Sequence, residues 1–196
     1  MTFNGKVDIL VNNVGTSLRK ATVDYTPEDL SMLMEVNFES VFLLTQMAHP
    51  LLKAAAAVEG ARERGGSSVV NISSVSGITS VKTGVVYASS KAAMNQLTRN
   101  LGCEWARDGI RVNAVAPWFT KTPLIEWVFT EPAKKTDFEQ RTLMDRHEDL
   151  EEVRARCVPL HERSELHNLT GHRCRRGLYG EWFDDVRVQG TRRDSV

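Results

Sequence analysis

The sequence has few cysteines, no long uninterrupted apolar run and no excess of either charge. Three cysteines in 196 residues are too few for a disulfide framework, which favours a reducing compartment. The longest apolar stretch, Val41–Val58, is interrupted by polar residues and a proline, so it cannot span a bilayer, and the polar start Met1–Lys6 is not a signal peptide. The 25 basic and 25 acidic residues give no bulk argument for nucleic acid or a membrane as a partner. We therefore predict a cytoplasmic protein.

The balanced totals conceal a change of composition along the chain. Residues 141–196 hold 11 of the 17 arginines, none of the 8 lysines and four of the five histidines. Globular domains rarely change composition this abruptly, so we predict a boundary near residue 130. We expect a partial domain over residues 1–130 and an irregular, poorly ordered tail over residues 131–196.

The tail invites two binding hypotheses that its pattern does not support. Its arginines are matched by 11 acidic residues in the same segment, so we expect no nucleic-acid partner. Its histidines and cysteines lack a Cys-x-x-Cys pair or a helical pair of histidines, so we expect no metal site. The residues concerned are Cys157, His161, His167, His172 and Cys174.

Residues 1–125 alternate between predicted strands and helices. The predicted strands are Val7–Val11, Ser68–Ser73 and Ile110–Ala116, and the predicted helices run from Thr26, as the cap, toward Ala57 and from Tyr87 to Arg107. Apolar strands joined by helices indicate right-handed crossovers and a parallel sheet that is covered on both faces. In such sheets the chemistry lies at the carboxyl ends of the strands. Those ends carry Asn12–Gly15, Ser73–Gly77 and Pro117–Thr122.

The residues that carry chemistry are centred on Tyr87. Tyr87 and Lys91 are four residues apart at the start of a helix, which places them on one face about a turn apart. A neighbouring ammonium group favours the phenolate and moves a phenol toward a useful acid–base range. Ser74 lies at a strand end, where its hydroxyl can hold a substrate oxygen. By itself, Tyr-x-x-x-Lys is more often a solvated pair than a catalytic one.

Further short motifs occur in a fixed order around this pair. They are Asn12-Asn13-Val14-Gly15, Asn37 inside a helix, Ile72-Ser73-Ser74-Val75-Ser76-Gly77, Tyr87-Ala88-Ser89-Ser90-Lys91, and Arg111-Val112-Asn113-Ala114-Val115-Ala116-Pro117. With these motifs, residues 3–127 resemble the short-chain dehydrogenase/reductase family, and in particular its plant tropinone-reductase-like branch. The resemblance implies an α/β fold with a Rossmann-like, doubly wound parallel sheet.

The resemblance also implies a role for each motif residue. Tyr87 is the general acid/base, Lys91 lowers the pKa of Tyr87 and binds the nicotinamide ribose, Ser74 polarises the substrate carbonyl, and Asn37 holds a proton-relay water. The implied cofactor is NADP, held by Asn13, Gly15, Tyr87, Lys91, Pro117, Thr120 and Thr122. The implied reaction is the NADPH-dependent reduction of a small, tropinone-like ketone to an alcohol. A homo-oligomer formed through the two long helices is implied as well.

The chain departs from the family at both ends. The Thr-Gly-x-x-x-Gly-x-Gly turn that brings backbone amides to a pyrophosphate has no equivalent here, so the sheet is expected to lack its first βαβ half. We then expect the strands at Val7–Val11 and Ile110–Ala116 to be exposed edges. The alternative to a reductase is a catalytically inactive, truncated fragment, or a remnant that only dimerises and binds no cofactor.

The tail also lacks the family's C-terminal strand. Leu166-His167-Asn168 can be encoded by codons that, read one base later, give Tyr-Ile-Thr, which the family has near its last strand. We therefore interpret the tail as an out-of-frame reading of the usual C-terminus.

Overall fold

A computed structural model describes residues 4–63, 65–82, 84–120, 122, 130, 136, 142, 147–157, 166–168 and 173–174. The strands are β1 (Ile9–Asn12), β2 (Ser67–Ile72), β3 (Ile110–Ala116), β4 (Leu166–Asn168) and β5 (Arg173–Cys174). The helices are α1 (Pro27–Met34), α2 (Ser40–Ala56), α3 (Val85–Glu104) and α4 (Leu150–Cys157). A π turn at Glu35–Glu39 joins α1 to α2, and single 3-10 turns lie at Thr22–Asp24, Val75–Gly77 and Ala106–Asp108. None of the helices in these ranges is long and apolar enough to cross a membrane.

The strands form one sheet in the order β1-β2-β3-β4-β5. The pairs β1–β2, β2–β3 and β3–β4 are parallel, and the pair β4–β5 is antiparallel. The parallel sheet predicted from the sequence is therefore confirmed, and β3 has the predicted bounds. Gly109, with a φ of +77°, ends the preceding helical turn, and Pro117 follows the strand, so both limits of β3 are set by backbone chemistry.

Apolar side chains cover both faces of the sheet. On one face Ala48 and Leu52 of α2 and Leu101 of α3 pack with strand residues such as Val69 and Val112 in a buried cluster. On the other face Val70 and Val115 are buried against α4. Because Val69 and Val70 are consecutive in β2, they point to opposite faces, which is why one apolar strand serves both layers.

The two predicted edges behave differently. Within the described residues β1 pairs only with β2, and Ile9 and Val11 remain 50% and 51% exposed. The prediction for β3 is wrong at its carboxyl end, where β4 pairs with Val115 and Ala116. The segment after residue 130 thus contributes α4, β4 and β5 to the described structure. The domain boundary at residue 130 stays a prediction.

The helix that follows Tyr25 begins as the sequence predicts and then departs from a regular α-helix. The Thr26 hydroxyl accepts a hydrogen bond from the Asp29 amide at 3.2 Å, while the Asp29 carboxylate accepts from the Thr26 amide at 3.0 Å. Pro27 occupies the first helical position, where no amide donor is needed. The π turn at Glu35–Glu39 then interrupts the helix that the sequence predicts as continuous to Ala57.

A chain of buried polar side chains crosses the sheet beneath its carboxyl edge. The Asn12 amide donates to the Thr45 hydroxyl of α2 at 2.9 Å and to the Asn71 side-chain oxygen at 2.8 Å. The Asn71 amide donates to the Thr98 hydroxyl of α3 at 2.9 Å. Because Asn12 and Asn71 are register partners in neighbouring strands, one amide–amide contact links both long helices to the sheet.

The polar chain predicts a large cost for truncating its central member. Asn71→Ala leaves a buried donor of Asn12 and the Thr98 hydroxyl without their partner, so we expect a loss of about 2–4 kcal/mol in the free energy of unfolding. Urea denaturation measures it. The matched control is Asn100→Ala, which removes an exposed hydrogen bond with Gln96 and should change stability by no more than about 0.5 kcal/mol. Equal losses in both variants would contradict this account.

Candidate active site

Three loops meet at the carboxyl edge of the sheet, after β1, β2 and β3. Gly15, in the first loop, lies against two of the predicted catalytic residues. A Cβ on Gly15 would stand 3.2 Å from the side-chain oxygen of Asn37 and 3.3 Å from Nζ of Lys91. Such distances are tighter than ordinary packing, so a glycine lets the first loop approach α3 this closely. Asn13, predicted beside the cofactor, is exposed in the same loop.

Lys91 is a buried cation at the centre of this edge. Its side chain rises from α3 and is only 3% exposed, and Nζ donates to the carbonyl oxygen of Ile72, the last residue of β2, at 2.7 Å. Burial lowers the pKa of Lys91 to about 8, because the charged form loses hydration there. The hydrogen bond to Ile72 uses one of the three donors of the ammonium group.

Tyr87 and Ser74 form the second part of the site. Their side chains are hydrogen-bonded to each other. Nζ of Lys91 lies 5.8 Å from the centroid of the Tyr87 ring. The structure therefore brings Ser74, Tyr87 and Lys91 together at the carboxyl end of β2.

The electrostatic balance at Tyr87 differs from the sequence-based expectation. Burial raises the pKa of the Tyr87 phenol, and the hydrogen bond with Ser74 and the positive charge of Arg19 oppose that rise. The expectation that Lys91 lowers the pKa of Tyr87 stays a prediction, with Nζ of Lys91 5.8 Å from the centroid of the ring. At neutral pH the phenol is protonated, which suits the donation of a proton.

Asn37 holds the loop after β1 through its side-chain amide. Its oxygen accepts from the backbone amide of Thr16 at 2.8 Å, and its nitrogen donates to the carbonyl of Thr16 at 2.9 Å. Asn37 lies in the π turn and is fully buried. π turns inside helices are frequent at functional sites, where they re-aim a side chain. The sequence pattern placed Asn37 within a helix but could not reveal this turn.

The turn after β2 supports α3 at Lys91. A Cβ on Gly77 would stand 2.7 Å from the backbone carbonyl carbon of Lys91 and 2.8 Å from the amide nitrogen of Ala92, so only a glycine fits here. The Ser73 hydroxyl donates to the carbonyl of Lys91 at 3.3 Å, and the Asn95 amide donates to the carbonyl of Gly77 at 3.2 Å. The Gly/Ser segment after β2 thus fixes the position of Lys91 relative to the end of β2.

The third loop follows β3 and contains the remaining predicted residues. Pro117 accepts a hydrogen bond from the Val75 amide at 3.1 Å, which ties this loop to the turn after β2. The hydroxyl oxygen of Thr120 is buried and has no hydrogen-bond partner among the described residues. Thr122 is half-buried. Trp118 donates from its indole nitrogen to the Thr142 hydroxyl at 3.0 Å.

Sequence reasoning missed one charged residue of the site. Arg19 is half-buried in the loop after β1, and burial lowers its pKa, while the phenols of Tyr87 and Tyr25 raise it. No motif contains Arg19, and only the path of the loop brings it to Tyr87. Among the described residues no three His, Cys, Asp or Glu side chains lie together as a metal site. His161 and His172 lie outside the described residues.

Comparison with known proteins assigns the chain to a family. A family model described as enoyl-(acyl carrier protein) reductase matches residues 2–173. The parallel sheet and the grouping of Ser74, Tyr87 and Lys91 agree with the motifs that first indicated the relationship. The chain belongs to the short-chain dehydrogenase/reductase family.

Its curated relatives narrow the assignment. A tropinone reductase homolog of Arabidopsis thaliana is 47% identical over 151 residues, which cover 77% of this chain and 54% of the relative. Senescence-associated protein 13 of the same plant is 52% identical over 133 residues, covering 68% of this chain and 46% of the relative. The similarity thus falls in the tropinone-reductase-like branch. The chain spans about half the length of the curated relatives it matches.

Solved structures agree on the fold. RhlG of Pseudomonas aeruginosa, determined as an NADP active-site complex, is 32% identical with a TM-score of 0.73, covering 82% of this chain and 61% of its own. A gluconate 5-dehydrogenase from Burkholderia cenocepacia, solved with NADP and tartrate, is 30% identical with a TM-score of 0.68. The match covers 79% of this chain and 57% of the dehydrogenase chain. The Rossmann-like architecture is thereby confirmed.

The lowered pKa of Lys91 predicts a distinctive pH dependence of stability. An unfolded lysine binds its proton up to about pH 10.5, whereas the folded chain releases it near pH 8. The unfolded state therefore binds more protons between these values, so stability rises with pH there, by at most about 1.4 kcal/mol per pH unit. Below pH 8 the full cost of burying the charge is present.

Denaturation of wild type and Lys91→Met between pH 7 and pH 10 measures this dependence. The rise above pH 8 should disappear in Lys91→Met, and the difference between the two proteins should change steadily with pH. Lys6→Met, at an exposed lysine, is the matched control and should keep the wild-type profile. A rise that persists in Lys91→Met would assign it to another group.

Proposed function

We propose that this chain carries the substrate end of an NADP(H)-dependent reductase site that converts a small ketone to an alcohol, with tropinone-like ketones among the candidate substrates. The observation that carries the proposal is the convergence of Ser74, Tyr87 and Lys91 at the carboxyl end of β2. A protonated phenol, a hydroxyl and a buried cation at one sheet edge are the groups that carbonyl reduction requires.

The donors at this edge fit a nicotinamide cofactor. The Thr120 hydroxyl is buried without a partner among the described residues, and Lys91 keeps two donors beyond its bond to Ile72. We propose that these two residues, with Asn13, Gly15, Tyr87, Pro117 and Thr122, hold NADP. When bound, the reduced nicotinamide supplies the hydride for the carbonyl carbon. NADP complexes of RhlG and of the gluconate 5-dehydrogenase support this choice of cofactor.

The residues of the chain supply the proton and the positioning. The Ser74 hydroxyl, which already bonds to the Tyr87 phenol, is placed to hold the carbonyl oxygen next to Tyr87. The phenol then gives its proton to the oxygen as negative charge develops there. Lys91 stabilises the resulting phenolate because its charge is buried and held in place. Asn37 acts indirectly, because its hydrogen bonds with Thr16 fix the loop that carries Gly15.

The competing hypothesis is an inactive fragment that binds no cofactor. The two are separated by NADPH binding to the purified chain, measured by fluorescence. We expect an affinity in the micromolar range, which would exclude the fragment hypothesis. Absence of binding would leave the reductase function as that of the relatives alone.

The reductase proposal predicts that Tyr87→Phe abolishes ketone reduction, because no proton donor remains beside the Ser74 hydroxyl. We expect NADPH consumption with a small ketone to fall by a factor of about 100 or more. Circular dichroism should show the same fold, since only one hydroxyl is removed. Ser89→Ala, which removes an exposed hydroxyl of the same helix, is the control and should leave turnover unchanged. Turnover retained in Tyr87→Phe would contradict the assignment.

We also propose that two copies of the chain associate through the long helices α2 and α3. In α2 the side chains of Phe42, Leu43, Leu44 and Met47 are all at least 41% exposed, and Met47 is 73% exposed. Four exposed apolar side chains within six residues of one helix favour an interaction surface. We keep the cytoplasm as the proposed location, on the grounds of the few cysteines.

Met47→Lys tests the association. We expect sedimentation to shift from a dimer or larger species toward the monomer, because the new charge would have to be desolvated in the interface. Thr22→Lys adds the same charge in an exposed turn and should leave the species unchanged. A monomeric wild-type protein at tens of micromolar, or a Met47→Lys protein that associates as wild type does, would overturn the proposal.

A further inference from the structure

The turn that follows Ser74 controls where its hydroxyl can point. Ser74 caps the 3-10 turn Val75–Gly77, and its Oγ accepts a hydrogen bond from the amide of Ser76 at 3.1 Å. The backbone closes the same turn, because the amide of Gly77 donates to the carbonyl of Ser74 at 3.0 Å. A hydroxyl oxygen has two acceptor sites and one hydrogen, so the bond from Ser76 restricts the directions left to the hydrogen. The orientation of Ser74 therefore depends on the orientation of this turn.

A close fit and a hydrogen bond hold the turn on α3. Gly77 lies so near the helix backbone that a Cβ there would stand 2.7 Å from the carbonyl carbon of Lys91. One helical turn further on, the side-chain amide of Asn95 donates to the carbonyl of Gly77 at 3.2 Å. The close fit limits only the distance between the two segments. A hydrogen bond is also directional, so the Asn95 amide fixes how the Gly77 peptide is rotated on the helix.

Stability alone does not explain an asparagine at this position of α3. Asn95 is 2% exposed, and its side-chain oxygen is buried with no hydrogen-bond partner among the described residues. Burying an unsatisfied acceptor costs at least as much free energy as one neutral hydrogen bond returns, whereas a leucine of similar shape would bury no polar group. What the asparagine adds here is the direction of its bond to Gly77.

We propose that Asn95 is a positioning residue of the candidate active site, which orients the Ser74 hydroxyl toward the substrate oxygen by holding the carbonyl of Gly77. The inference rests on the proposed reductase function. Asn95 acts on Ser74 through the turn, so its loss would leave every group of the site present but the hydroxyl misdirected. Stabilisation of a developing oxyanion is sensitive to such an error, because the donor must be in place before the charge forms.

The ionisation of Tyr87 reports on the Ser74 hydroxyl without turnover. The hydrogen bond with Ser74 lowers the pKa of the Tyr87 phenol, so a misdirected hydroxyl should raise that pKa. Ultraviolet absorbance after a rapid pH jump measures phenolate formation before the fold responds to alkali. Subtraction of the Tyr87→Phe profile isolates Tyr87 among the three tyrosines of the chain. We expect the midpoint of Asn95→Leu to lie about 0.5 to 1 pH unit above that of wild type.

Companion variants separate positioning from a general loss of stability. Ser74→Ala should raise the midpoint at least as far, and adding Asn95→Leu to it should raise the midpoint no further, because both changes remove the same interaction. Asn95→Ala supplies a smaller side chain should leucine overcrowd the helix contact. Two controls should keep the wild-type midpoint. Asn100→Leu is the same substitution at an exposed position of α3, and Leu52→Ala destabilises the core from α2.

Turnover gives a second readout. With a small ketone and NADPH, Asn95→Leu should lower kcat about tenfold and change KM by less than about twofold, because the alignment matters in the transition state. An unmoved Tyr87 midpoint in Ser74→Ala or in both Asn95 variants, or an equal shift in Leu52→Ala, overturns the inference. NADPH consumption by the wild-type protein would in those cases leave the reductase standing. The expected shifts without NADPH consumption support the orientation of Ser74 by Asn95 and count against the reductase.

Discussion

The carboxyl edge of the sheet depends on one buried chain of hydrogen bonds, in which Asn12 and Asn71 link the helix residues Thr45 and Thr98 across two strands. Water is excluded there, so each lost bond leaves an unsatisfied polar group and the arrangement cannot slide as an apolar contact can. The loops after β1 and β2 emerge directly above these two strand positions. The spacing between the residues they present to α3 is therefore set by an amide–amide contact.

Helix α3 serves stability and chemistry with different parts of its length. Its later turns carry Leu101 into the apolar cluster on the sheet, whereas its first turns present Tyr87 and a buried ammonium group. A buried cation costs stability, and the close fit of Gly77 against the backbone at Lys91 holds the helix in place despite that cost. The site residues and the core residues belong to one helix. Packing of its later turns in the core therefore also fixes the positions of Tyr87 and Lys91.

The features that could be predicted from the sequence are those that depend on local backbone chemistry. The limits of β3 follow from a glycine and a proline, and the start of α1 follows from a capping box at Thr26, so both could be read directly. The π turn could not, because Glu35–Glu39 contains no glycine or proline that would mark an interruption of the helix. The strand at Leu166–Asn168 could not either, since it has no β-branched residue and forms through long-range pairing. Arg19 reaches Tyr87 through the path of a loop, which no spacing rule describes.

The π turn at Glu35–Glu39 accommodates one residue more than a regular helix of the same rise needs. Leu33 before it and Val41 after it are both buried, so the surplus residue is absorbed without rotating either flank away from its packing. Deletion of one residue from this segment would therefore convert the π turn into regular α-helix. Leu33 and Val41 would keep their positions on the buried face. What would go is the tether from Asn37 to Thr16. A single deletion in this turn would therefore release the first loop at Thr16 while Leu33 and Val41 keep their packing.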